Sequence, residues 1–128
     1  MAKNEVILCD TNIFINLFKG HAKVKVAFEK IEPSNIAFSV ITYAEIIYGT
    51  KKVNINRVKQ FLDNYIILDI DPIVSQIFKG LVLNYSFNHH IKIPDALIAS
   101  TAIAYGYSLF TENKKDFDFI PEIKLYKP

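Results

Sequence analysis

Cysteine, glycine and long apolar runs are what this 128-residue chain has least of. Its single cysteine excludes an internal disulfide framework, and Cys9 sits in a short apolar run, where it acts as a small hydrophobe rather than a nucleophile. The four glycines form neither a phosphate-cradling loop nor a dinucleotide fingerprint, so NTP hydrolysis and hydride transfer lose support. No serine elbow with histidine and acid partners points to acyl transfer. The N-terminal apolar run is too short for a signal-peptide core, and no segment approaches the ~20 residues of a membrane span, so a cytoplasmic protein without membrane contact is expected. Charge of one sign is scarce as well. Fifteen basic and 13 acidic residues leave +2, so no overall field advertises a nucleic acid and any such binding must be local.

What is present is apolar bulk: 51% hydrophobic residues, with ten Phe and seven Tyr, enough to close a real core. Without repeats, linkers or low-complexity tracts, one domain over residues 1–128 is expected.

The chain is organised around Val6 to Asn12. The apolar run Val6-Ile7-Leu8-Cys9 stops at Asp10-Thr11-Asn12, which reads as a buried strand with a carboxylate at its C-terminal end. Ligands of open α/β sheets bind beyond that end. Asp10 also has a plainer reading as the cap of a helix beginning near Ile13.

After Gly20, Val24, Phe28 and Ile31 mark a helical face that Glu32-Pro33-Ser34-Asn35 terminates, and Ile36 to Val40 reads as a second strand. Thr42 and Glu45 have the spacing of a capping box at the start of the next helix, or Glu45 points across the strand ends towards Asp10. Val58, Phe61, Leu62 and Tyr65 give a third helix its apolar face; Lys51 and Lys52, just before it, suit a solvated surface. Ile66 to Ile70 reads as a strand, and Asp71-Pro72 as the cap and first position of a long helix. The adjacent His89 and His90 point to different sides of any element and make a poor metal pair.

Pro94 suits the first turn of a helix closed by Gly106, with Asp95 where the helix dipole favours an anion. Tyr107 to Thr111 is then a strand leading into Glu112-Asn113-Lys114-Lys115-Asp116-Phe117, and Pro121 to Tyr126 a final edge strand. This order predicts an α/β fold, a mostly parallel central sheet flanked by helices on both faces.

Asp10, Glu45, Asp95, and Asn113 with Asp116 all fall at element junctions that such a sheet could gather on one face. Clustered carboxylates raise one another's pKa unless a cation neutralises them, and hard oxygen donors without cysteine select Mg²⁺ or Mn²⁺. Such a site activates water and offsets charge on a phosphodiester.

These stretches resemble the PIN-domain nucleases, particularly the VapC-type toxins of toxin-antitoxin pairs. Asp10-Thr11-Asn12 is similar to the family's opening motif, Thr42-Tyr43-Ala44-Glu45 to its second, Pro94-Asp95-Ala96-Leu97-Ile98-Ala99 to its third, and Leu109 to Phe117 to its fourth. The resemblance implies a PIN-like three-layer sandwich in which Asp10, Glu45 and Asp95 bind Mg²⁺ or Mn²⁺, with Thr11 and Asn12 orienting the first acid. The fourth position, often aspartate, falls on Asn113 with Asp116 close by, after Thr111. The resemblance further implies hydrolysis of RNA by metal-activated water, a homodimer, and an antitoxin protein whose tail lies in the active-site groove. Lys51, Lys52, Lys114 and Lys115 are candidate phosphate contacts, and Tyr43 or Tyr48 could stack on bases. The alternatives are a housekeeping RNA-processing nuclease, a phosphatase with Asp10 as nucleophile, which would want an aspartate where Asn12 stands, and a non-catalytic binding module.

Overall fold

Four short apolar runs form strands β1 (Ile7–Cys9), β2 (Ile36–Ser39), β3 (Ile66–Leu68) and β4 (Ser108–Phe110) in the computed structural model, which describes residues 5–128. The sheet is parallel throughout, in the order β3-β2-β1-β4. Ile7 pairs with Ile36 on one side and Ser108 on the other, and Phe38 pairs with Ile67. The strand order therefore reverses at β1, and open α/β sheets have their crevice beyond the strand ends at such a reversal, here by β1 and β4.

The helices are α1 (Thr11–Phe18), α2 (Ala22–Glu29), α3 (Val40–Tyr48), α4 (Ile55–Leu62), α5 (Pro72–Tyr85) and α6 (Ile93–Tyr105). Because side chains alternate along a strand, the sheet feeds two cores. Ile7, Cys9, Ile36, Phe38 and Phe110 join residues of α1, α2 and α4 on one face. Leu8, Ala37, Leu68 and Leu109 join residues of α5 and α6 on the other. Phe14 anchors the first core, edge-on to Phe28, Phe38 and Phe61. Helix α3 serves both cores, since Ile46 belongs to the first and Ile41 packs against the second.

Several local expectations need correction. The second strand ends at Ser39 rather than Val40, and the third at Leu68 rather than Ile70. Thr42 and Glu45 do not form a capping box: α3 starts at Val40, capped by Ser39, whose hydroxyl accepts from the Ile41 N–H. The apolar residues flanking Ser39 concealed a helix start that the later Thr42–Glu45 spacing imitated. The final strand shrinks to one parallel bridge between Leu109 and Leu125. A turn commits the Ile123 N–H to the Ile120 carbonyl, so pairing begins only at Lys124. Tyr126 still covers the β4 edge, its ring 5.3 Å from that of Phe110.

Candidate active site

Asp10 follows β1 directly and is buried. The plainer reading of this residue is correct as far as it goes: Asp10 caps α1, accepting from the Thr11 N–H at 2.7 Å through Oδ1. Its other oxygen, Oδ2, accepts from the Thr111 hydroxyl at 2.8 Å, across the crevice from the end of β4. Thr111 is in turn held by the Asn113 N–H at 3.0 Å and by Asn12 Nδ2 at 3.4 Å. Asn12 thus acts on Asp10 through Thr111, and its Oδ1 accepts from the Glu112 N–H.

Glu45 lies in the interior of α3 and reaches the same region, where its Oε1 accepts from the Thr11 hydroxyl at 2.7 Å. Asp95 enters from the first turn of α6, half-buried, and Asp116 from the 3₁₀ turn Lys114–Asp116 that follows β4.

These acids feel one another. Burial is the main reason the Asp10 carboxyl is raised above its ordinary range; the hydrogen bonds from Thr111 and Thr11 oppose this, and the charges of Glu45 and Asp116 add to it. Asp95 is raised to about 6, first by burial, then by Asp10 and Asp116; Lys92 opposes the rise and Glu45 adds to it. Asp116 acts on both Asp10 and Asp95, whereas Asn113 is exposed and touches the cluster through its backbone.

Among the described residues, no three His, Cys, Asp or Glu side chains converge into a ready-made ion cage. The donors are nevertheless all hard oxygens whose mutual repulsion a cation would relieve. That donor set fits a hydrated divalent ion, which commonly keeps several waters and takes one or two carboxylates. His89 stands apart, stacked on Phe119 with centroids 4.2 Å apart.

A groove of about 950 Å³ opens beside Glu45, lined by apolar residues that include Phe18, Phe28 and Phe61 and by charged ones that include Lys51, Arg57 and Glu29. Lys114 and Lys115 line a separate depression with Asp116, and Lys52 is exposed in the turn after Lys51. Tyr43 packs against the first core, while Tyr48 is 95% exposed. Sequence reasoning missed two residues. Lys92 lies three positions before Asp95, and its charge next to a motif acid was a readable signal. Thr42 was noticed only as a cap.

Comparison with known proteins settles the family. The PIN domain model matches residues 7–122. The chain belongs to the PIN-domain family. This PIN domain is 31% identical to Ribonuclease VapC1 of Methanocaldococcus jannaschii, over 94% of this chain and 86% of that protein. Among solved structures, it is 35% identical to a chain of a toxin-antitoxin complex from Klebsiella pneumoniae, with a TM-score of 0.79, covering 95% of this chain and 99% of that one. It is 30% identical to a chain of VapBC2 from Rickettsia felis bound to a DNA fragment from their promoter, with a TM-score of 0.81 and coverage of 94% and 97%. The three-layer parallel architecture expected from the motifs is the one found in this PIN domain. PIN-domain ribonucleases are in general dependent on a divalent metal.

Proposed function

We propose that the protein is a metal-dependent endoribonuclease, the toxin of a toxin-antitoxin pair. The observation that carries this reading is the convergence of acids beyond the strand ends: Thr11 bonds both Asp10 and Glu45, and Asp95 and Asp116 stand close enough for charge to act between them. Asp10, Glu45 and Asp95 would hold Mg²⁺ or Mn²⁺, and Asp116 rather than Asn113 is the fourth acid. A divalent ion held there would supply an activated water and offset charge on the scissile phosphate. Thr111 and the Thr11 N–H fix both oxygens of Asp10, and Asn12 braces Thr111. Lys51, which lines a groove with Glu45, and Lys114 and Lys115, which line a depression with Asp116, would contact phosphate, as would the exposed Lys52; Tyr48, bare on α3, offers a ring to an unpaired base.

The phosphatase reading wants an aspartate two residues after Asp10, where Asn12 stands and donates to Thr111. A silent binding module has no use for acids that repel one another. The names of the relatives support a toxin over a housekeeping enzyme. The partner is then an antitoxin, and the groove beside Glu45, lined by apolar side chains and by more basic than acidic ones, suits an amphipathic acidic segment of it. A second copy of the chain is the other expected partner, with Ile73, Leu83, Phe87 and Ile93 exposed on and between α5 and α6. Among the described residues, no helix is long and apolar enough to cross a membrane.

The test uses purified protein and a mixed RNA pool, with and without Mg²⁺ or Mn²⁺. Cutting should require the ion, and Asp10→Asn and Asp95→Asn should each slow it by about a hundredfold or more. Parent-like cutting by both variants, or cutting that survives full chelation, overturns the reading.

A further inference from the structure

Buried hydroxyls on helices usually satisfy themselves locally, by donating to a carbonyl one turn back. Ser100 and Thr101 do so, to the Ala96 and Leu97 carbonyls, and Thr50 does the same to Ile46. Thr42 is different. It is fully buried in α3, yet its hydroxyl meets that of Thr11, 31 positions earlier in the chain, at 2.9 Å.

The direction of that bond follows from proton counting. A hydroxyl has one proton to give, and an ionised carboxylate can only accept. The Thr11 proton is committed to Glu45 Oε1 at 2.7 Å, so the proton between the two hydroxyls comes from Thr42. The result is a chain of donations from Thr42 to Thr11 to Glu45. Thr11 also holds Asp10 through its backbone N–H, so one residue sits between two acids of the cluster. A valine at position 42 would fill much the same volume, and packing alone gives no reason for a hydroxyl there.

We propose that Thr42 is a positioning residue of the site: by donating to Thr11 it fixes that hydroxyl, and so holds the Glu45 carboxylate ready for the cation. Thr42 touches neither ion nor substrate and acts only through Thr11. The inference rests on the nuclease reading above.

The test measures Mn²⁺ binding by titration calorimetry on the whole RNA-free protein, for the parent, Thr42→Val, Thr42→Ser and Asp95→Asn. Loss of one hydrogen bond should weaken Mn²⁺ binding by Thr42→Val about fivefold. Thr42→Ser, which keeps the hydroxyl and loses only a methyl group, should stay within about twofold of the parent, since surplus packing loss does not act on the ion. If Thr42→Val does not fold, Thr42→Cys, a weak donor of similar size, takes its place with the same expectation. Parent-like Mn²⁺ binding by the valine or cysteine variant overturns the proposal, as does a serine variant weakened as much as they are. A parent that binds no better than Asp95→Asn has a different signature: it removes the metal site, and this inference falls with it.

Discussion

Asp95 carries the clearest pH signature in the protein. Its carboxyl lies at about 6 in the folded chain against an ordinary 3.8, because burial and three neighbouring acids favour its protonated form. A group that holds its proton more tightly when folded stabilises the fold most at low pH. That stability is lost as pH rises through the window from about 4 to about 6, and the loss is complete above it. Asp10, raised in the same direction, adds to the trend. For metal-free protein, the unfolding midpoint of the parent should therefore fall, relative to that of Asp95→Asn, between roughly pH 4 and pH 7. The variant should be the more stable of the two at pH 8, and the two should converge at low pH. Midpoints measured across the range check this, and two parallel curves would show that the ionised Asp95 is under no pressure. The same residue should impose an acid limit on Mn²⁺ binding near pH 6, since the ion competes with the proton for its oxygens.

Helix α3 shows how an element can be read correctly in kind and wrongly at its edge. Its cap is Ser39, the last residue of β2, so strand and helix meet with no loop between them. Ser39 to Ala should cost about 1 kcal/mol of stability. Glu45→Gln should cost nothing comparable and, by removing a like charge from the cluster, should raise the metal-free midpoint. Chemical unfolding of the two variants separates them; a Glu45→Gln chain as weakened as Ser39→Ala would show that the Glu45 charge puts no strain on the cluster. Elsewhere the termini were legible where chemistry is specific. Asp71 caps α5, accepting from the Val74 N–H at 2.8 Å, ahead of Pro72. Gly106 closes α6 with φ of +71°, a conformation that side chains with a Cβ resist. The segment after Pro121 was legible as an extended edge but not in length, because alternation along Glu122 to Tyr126 says nothing of the turn that withholds Ile123. The hydroxyl contacts from Thr42 to Thr11 and from Thr111 to Asp10 were out of reach for another reason. They join positions 31 and 101 apart, and their lengths depend on register, which no local pattern fixes.

At the scale of the whole molecule, the site is a consequence of topology. Parallel strands place every C-terminal end on one side, and the reversal at β1 leaves space there for Asp10 to meet Thr111 while α3 and α6 bring Glu45 and Asp95. The gathering of the acids on one side of the sheet was readable, since strands alternating with helices leave few other arrangements, but the strand order and its reversal at β1 were not. The two cores that close the sandwich are aromatic and aliphatic and contain none of these acids. Asp10, the most buried acid of the cluster, already has both oxygens bonded within the protein. The fold should therefore stand without a cation, unlike small domains whose metal supplies their folding energy. Chelation is expected to abolish RNA cutting while leaving the far-ultraviolet dichroism and a cooperative thermal transition intact. Added Mn²⁺ should then raise the midpoint, because an ion that binds only the folded chain stabilises it by about 2.7 kcal/mol at a hundred times its Kd. The rise should vanish in Asp10→Asn, where the site is broken but the cores are whole. Loss of the dichroism on chelation would mean that the ion holds the fold together rather than serving the site.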